Sequence, residues 1–208
     1  MQLDRPLDPL ELRVLGSLLE KQQATPDLYP LTLNAIAAAC NQKTNRDPVM
    51  DLGEDDLRGA LQRLQELNLV WEIHGGRALR YDHRLDGRWG LTQKTKALIS
   101  ILFLRGPQTA GELRNRSERL ARFDSIEDVE GELRFLGKGN EPLVRELPRR
   151  PGQKENRWVH LAGDVTPDDS PEPHPRASSS MAERIERLES DVAELRAQLE
   201  ELRHSLGD

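Results

Sequence analysis

The chain has 208 residues, with 30 Lys and Arg against 36 Asp and Glu for a net charge of −6, and only 4% of it is aromatic. That length suits one or two ordinary domains, and the aromatic shortage argues against a deep ligand pocket or a β-sandwich core. A single cysteine, Cys40, excludes an internal disulfide framework and a cysteine-based zinc cluster. No apolar run approaches 18 residues, and the charged, proline-bearing start Met1-Gln2-Leu3-Asp4-Arg5-Pro6 does not read as a signal peptide. A cytoplasmic protein without membrane contact is therefore expected.

The first element opens at Asp8-Pro9-Leu10-Glu11, where Asp8 caps, Pro9 suits the first helical position and Glu11 closes a capping box. Leu10, Val14 and Leu18, with Leu12, Leu15 and Leu19 beside them, give that helix an apolar face. Thr32 then caps a short helix carrying Leu33, Ile36, Ala37 and Cys40, and the polar stretch Asn41 to Asp47-Pro48 ends it. Leu57, Ala60, Leu61, Leu64 and Leu67 line a third helix that stops at Asn68. Leu69 to Ile73 alternates as a strand, Gly75-Gly76 signals a hairpin turn, and Ala78 to Tyr81 returns.

The same order recurs. Ala97, Leu98, Ile101, Leu102 and Leu104 supply a helix that ends at Arg105-Gly106-Pro107, and Thr109 caps a second one holding Leu113. Ser125 caps a third with Ile126, Val129, Leu133 and Leu136, and strands over Leu143–Leu147 and Arg157–Leu161 flank the turn Pro148 to Asn156. Pro30-x-Thr32 matches Pro107-x-Thr109, and Leu69-Val70-x-Glu72 matches Leu143-Val144-x-Glu146. A repeat of this size points to a duplicated domain. The expected fold is mainly α with small β-hairpins (α+β). It comprises two tandem winged-helix domains, a helix-turn-helix variant, over 1–90 and 91–163.

Residues 164–180 carry four prolines, four serines and several acids, and read as a flexible linker. Met181, Ile185, Leu188, Val192, Leu195, Leu199, Leu202 and Leu206 then follow heptad spacing over 181–208. Ile and Val at a with Leu at d favour a parallel two-stranded coiled coil, and Arg184–Glu189 and Asp191–Arg196 suit pairing between chains. A homodimer is expected; docking of this helix on its own domain is the alternative.

The run Thr25-Pro26-Asp27-x-Tyr29-Pro30-Leu31-Thr32-Leu33-Asn34-Ala35, with Ala39-Cys40-Asn41-Gln42-Lys43-Thr44-Asn45-Arg46-Asp47-Pro48, resembles the YceH-type family of uncharacterised bacterial proteins. The resemblance covers roughly residues 3–163. It implies two winged-helix domains and carries no catalytic or binding residues to transfer.

Function must then be read from charge. Residues 1–91 sum to −3, 92–163 to +4 and 164–208 to −7, so the acidity belongs mostly to the tail. The function expected first is association with double-stranded DNA in a regulatory role. Lys43, Asn45 and Arg46 in the loop before the third helix, Arg58 and Arg63 on that helix, Arg77, Arg80 and Arg84 around the first hairpin, and Arg149, Arg150, Lys154 and Arg157 on the second would hold phosphates. Against it stand Glu54-Asp55-Asp56 and Asp124-Ser125-x-Glu127-Asp128, carboxylates at the starts of both third helices, where base readout usually begins. A protein partner is the alternative. The five histidines lack metal-ligand spacing, no nucleophile or phosphate-loop motif appears, and Cys40 lies on an apolar face. No catalysis, cofactor or metal is expected.

Overall fold

The computed structural model describes residues 3–76, 78–149 and 153–164. These residues form a mixed α+β fold of seven α-helices and small antiparallel strand pairs, in the helix–helix–helix–hairpin order expected twice over. The linker and heptad segments, and with them Ile185, Leu188, Val192, Leu195, Leu199, Leu202 and Leu206, lie outside the described residues.

Helix α1 (Pro9–Ala24) begins as its sequence dictates. Asp8 accepts from the amides of Leu10 and Glu11, each at 2.8 Å, and Glu11 reaches back to the Asp8 amide at 2.8 Å. Val14, Leu15, Leu18 and Leu19 are wholly buried, each contributing about 1.5–3 kcal/mol relative to exposure. After a 3-10 turn (Pro26–Leu28) come β1 (Leu31–Thr32) and α2 (Leu33–Cys40), capped by Thr32 at 3.3 Å from the Ala35 amide. Helix α3 (Glu54–Glu66) stops where Asn68 turns left-handed, at φ 55°.

 The two non-glycine residues with left-handed backbone among those described are thus Asn68, at φ 55°, and Asn45 in the loop before α3, at φ 58°. Around Asn68 the amides of Asn68 and Leu69 reach back to the carbonyls of Gln65 and Leu64, both at 2.9 Å, closing a Schellman motif.

Strands β2 (Val70–Ile73) and β3 (Arg80–His83) pair antiparallel with Val70 opposite His83, and β1 joins the far edge of β3 to give the order β1-β3-β2. The returning strand therefore starts at Arg80, two residues later than Ala78. A short helix α4 (Leu85–Trp89), not among the elements expected from the sequence, follows.

The second half repeats the first through α5 (Gln93–Arg105), α6 (Ala110–Ser117), α7 (Ile126–Leu136), β4 (Val144–Leu147) and β5 (Arg157–His160). Its counterpart of β1 is a single residue: Gln108 exchanges both backbone bonds with Trp158, at 3.0 and 2.7 Å, where Leu31 faces Tyr81 in the first half. The duplication extends to side chains. Arg80 donates to the Pro30 carbonyl at 2.6 Å, and Arg157 donates to the Pro107 carbonyl at 2.9 Å.

The halves join through α1 and α5, and their buried residues form one continuous core. Gly16 makes the crossing possible. A Cβ there would sit 2.8 Å from Leu104 Cγ and 3.0 Å from Phe103 Cβ. The chain ends of this unit meet as well, with the Leu7 amide on the Ala162 carbonyl at 2.8 Å.

Candidate nucleic-acid interface

The residues expected to hold phosphates are mostly engaged within the protein. In the loop before α3, Arg46 is only 4% exposed. It donates to Glu20 at 2.6 and 3.2 Å, to the Ala39 carbonyl at 3.0 Å and to the Asn45 carbonyl at 2.9 Å. It is a buried fastening for the loop and not a phosphate contact, a correction to the expectation from its basic, polar neighbourhood. Burial alone would raise the Glu20 pKa, but the Arg46 hydrogen bonds and charge outweigh it and hold the carboxyl below its ordinary range.

A second buried arginine, Arg13 of α1, was not singled out from the sequence. It donates to the carbonyls of Cys40 and Pro48 and so ties α1 to the start and the middle of the same loop. Asn41 closes the loop with two bonds to the backbone of Leu52, at 2.9 and 3.0 Å. Cys40 is fully buried, and desolvation pushes its thiol pKa up. Lys43 and Asn45 remain exposed on the loop.

On α3, Arg58 pairs with Glu54 one turn back. Arg63 bridges Asp8 at 2.8 Å and Glu11 at 3.2 Å, which fixes α3 against the start of α1. On the first hairpin, Arg80 is stapled to Pro30, and the Arg84 guanidinium lies 4.7 Å from the centre of the Trp71 ring, covering an indole that is 44% exposed. On the second hairpin, Arg157 binds Glu112 at 3.0 Å. Arg149 donates to the Lys154 carbonyl at a long 3.4 Å, and both residues are exposed. Arg77 and Arg150 lie outside the described residues.

The outward faces of the third helices are not basic. Around α3 they show Glu54, Asp55, Arg58, Gln62 and Glu66, all exposed, with Asp56 capping the Gly53 amide at 3.0 Å. In α7, Ser125 accepts from the Asp128 amide at 3.2 Å, and Lys94 binds Asp128 at 2.7 and 2.9 Å. That hydrogen bond holds Asp128 below the ordinary carboxylate range. Arg134 turns back to Glu130 at 3.2 Å.

Exposed apolar groups accompany this acidity. Ile126, expected in the core, is the first residue of α7 and is 42% exposed, and Phe135 is 63% exposed. Between α6, α7 and the second hairpin lies a groove of about 410 Å³, lined by Ile126, Glu130, Glu146, Arg149, Lys154 and Trp158. Its charges are of both signs.

No helix among the described residues is long and apolar enough to cross a membrane. A family model described as "Protein of unknown function, DUF480" matches residues 7–153. The chain is 52% identical over 207 residues to a UPF0502 protein of Mesorhizobium japonicum, covering 97% of this chain and 99% of the relative. It is 46% identical over 200 residues to a UPF0502 protein of Dechloromonas aromatica, covering 93% and 94%, and 44% identical over 200 residues to one of Burkholderia pseudomallei, covering 96% and 86%.

Proposed function

The chain belongs to the DUF480 family, whose relatives above carry the name UPF0502, and we propose that it is a non-enzymatic protein–protein adaptor built on two winged-helix units. The winged-helix reading rests on three helices followed by a hairpin in each half, with an extra strand or bridge added to the hairpin's edge. One observation carries the adaptor reading: both third helices turn carboxylates outward where a groove-reading helix needs donors. A carboxylate about 4 Å from a phosphate costs about 1 kcal/mol even in bulk water, and more at a partly desolvated contact. The partner face that fits α7 is apolar with flanking cations. It would cover Phe135 and meet Glu132, one turn back on the same side of the helix.

DNA association is the second reading. It is favoured by the second hairpin, where Arg145, Arg149 and Lys154 are exposed together, with Lys43 as a further cation on the other half. In that reading the contacts are to backbone phosphates, and the heptad helix doubles them in a dimer.

Site-specific photo-crosslinking in cells separates the two. A crosslinker at Phe135 is expected to capture a discrete protein, whereas one at Lys154 captures none. Nucleic acid crosslinked from Lys154, with no protein captured from Phe135, contradicts the adaptor and supports the second reading.

A further inference from the structure

A cleft of about 190 Å³ opens where α1, α5, α6 and the loop before α3 meet. Among the described residues four cations line it: Lys21 of α1, Arg105 at the end of α5, Arg116 of α6 and Arg119 just beyond. The carboxylate in its wall, Glu20, is already held by Arg46 at 2.6 and 3.2 Å and lies 3.3 Å from Lys21. The cations therefore exceed the negative charge placed to meet them.

Two of their nitrogens have no acceptor. Nε of Arg105 and Nη1 of Arg116 are shielded from solvent and make no hydrogen bond. Buried donors are nearly always paired, so an orphaned pair in one cleft calls for an explanation. The carboxylate nearest Arg116 is Glu112 at 3.8 Å, beyond hydrogen-bond reach and committed to Arg157 at 3.0 Å. Burial pushes the Arg116 pKa down, and the charge of Arg105 pushes it the same way, with Glu112 and Asp47 opposing. An anion in the cleft would relieve both the missing acceptors and the like-charge crowding.

We propose that this cleft binds a small phosphorylated anion, with Arg105, Arg116, Arg119 and Lys21 as its ligands. The volume falls below the roughly 300–1,000 Å³ of pockets for drug-sized ligands, so the occupant is little larger than its phosphate groups. Planar guanidinium forks match phosphate oxygens, and a charge of two or more is needed to balance the cluster. Gln42 and Asn45 on the loop supply neutral donors at the rim. Because α1 and α5 both form its walls, the bound anion bridges the two halves of the fold.

Pyrophosphate is the probe, added to the full chain at constant ionic strength. Arginine Nε–H resonances are followed by NMR, with Kd read by calorimetry. Saturable shifts of Arg105 and Arg116 are expected, with Kd weakened about tenfold or more in Arg116→Gln and in Arg119→Gln. Arg119 is exposed, so its variant keeps the test intact if loss of Arg116 disturbs folding, and Arg58→Gln should bind as the parent does. Absence of saturable shifts at millimolar pyrophosphate, or affinities unchanged in both cleft variants, overturns the proposal. Displacement of pyrophosphate by a random-sequence DNA duplex also overturns it, since the phosphates would then be those of nucleic acid.

Discussion

Replacing Glu20 by alanine strands a buried guanidinium. The Arg46 side chain has no exposed surface and the Glu20 side chain 13%, and the pair is joined by bonds of 2.6 and 3.2 Å. Removing one partner of a buried ion pair costs about 3–5 kcal/mol. Arg46 keeps its bonds to the carbonyls of Ala39 and Asn45, which places this case near the lower bound, about 3 kcal/mol. For a protein of this size each kcal/mol lowers Tm by about 2–4 °C, so Glu20→Ala should melt about 6–12 °C below the parent in a circular-dichroism scan. Arg58→Ala, which breaks an exposed pair on α3, should hardly move Tm. Combining Glu20→Leu with Arg46→Met should recover most of the loss, because neither charge is then left alone. If Glu20→Ala melts within about 2 °C of the parent, Arg46 is not held as described.

Two further outcomes follow from the packing and the titrating groups. Gly16→Ala should destabilise despite alanine's helix preference of about 1 kcal/mol, because overpacking against Leu104 and Phe103 costs about 1–3 kcal/mol; a gain in urea midpoint would contradict the close crossing of α1 and α5. His83 donates from Nε2 to Gln22 at 2.9 Å and accepts the Leu85 amide on Nδ1 at 3.2 Å, an arrangement that requires the neutral ring. Burial lowers its pKa despite Asp86 and Asp82, with Lys96 acting in the same sense as burial. The unfolded chain therefore binds the proton more readily. This contribution is complete above the ordinary histidine pKa of about 6.5 and is lost as pH falls below it. Urea unfolding of His83→Gln should show a shallower loss of stability than the parent between about pH 7 and 5, and equal slopes would refute the assignment.

The elements were legible where the signal is local. Asp8 with Glu11, Thr32, Thr109 and Ser125 cap helices through bonds spanning two or three residues, so their spacing alone announces them. The fates of the cations were not legible, because their partners are distant. Arg46 finds Glu20 26 positions away, and Arg63 finds Asp8 at 55, so a basic loop and a basic helix face looked free when they were not. A signal for Arg13 did exist: it lies inside the apolar run of α1, flanked by Leu12 and Val14, where a charged residue needs a buried partner. Gly16, mid-helix on that same apolar run, likewise marked the close approach of another element. Helix α4 and strand β1 were missed because five and two residues are too short to show a period.

The claim that the third helices serve protein contacts and not DNA is tested most directly by the anisotropy of a labelled random duplex, titrated with the full chain across a salt series. The adaptor predicts no saturable binding even at about 50 mM salt, because the acidic turns of α3 and α7 oppose the cations of the second hairpin. Binding whose log K falls linearly with log salt, by about 0.9 per phosphate neutralised, and whose slope shrinks in Arg149→Ala and Lys154→Ala, would contradict it.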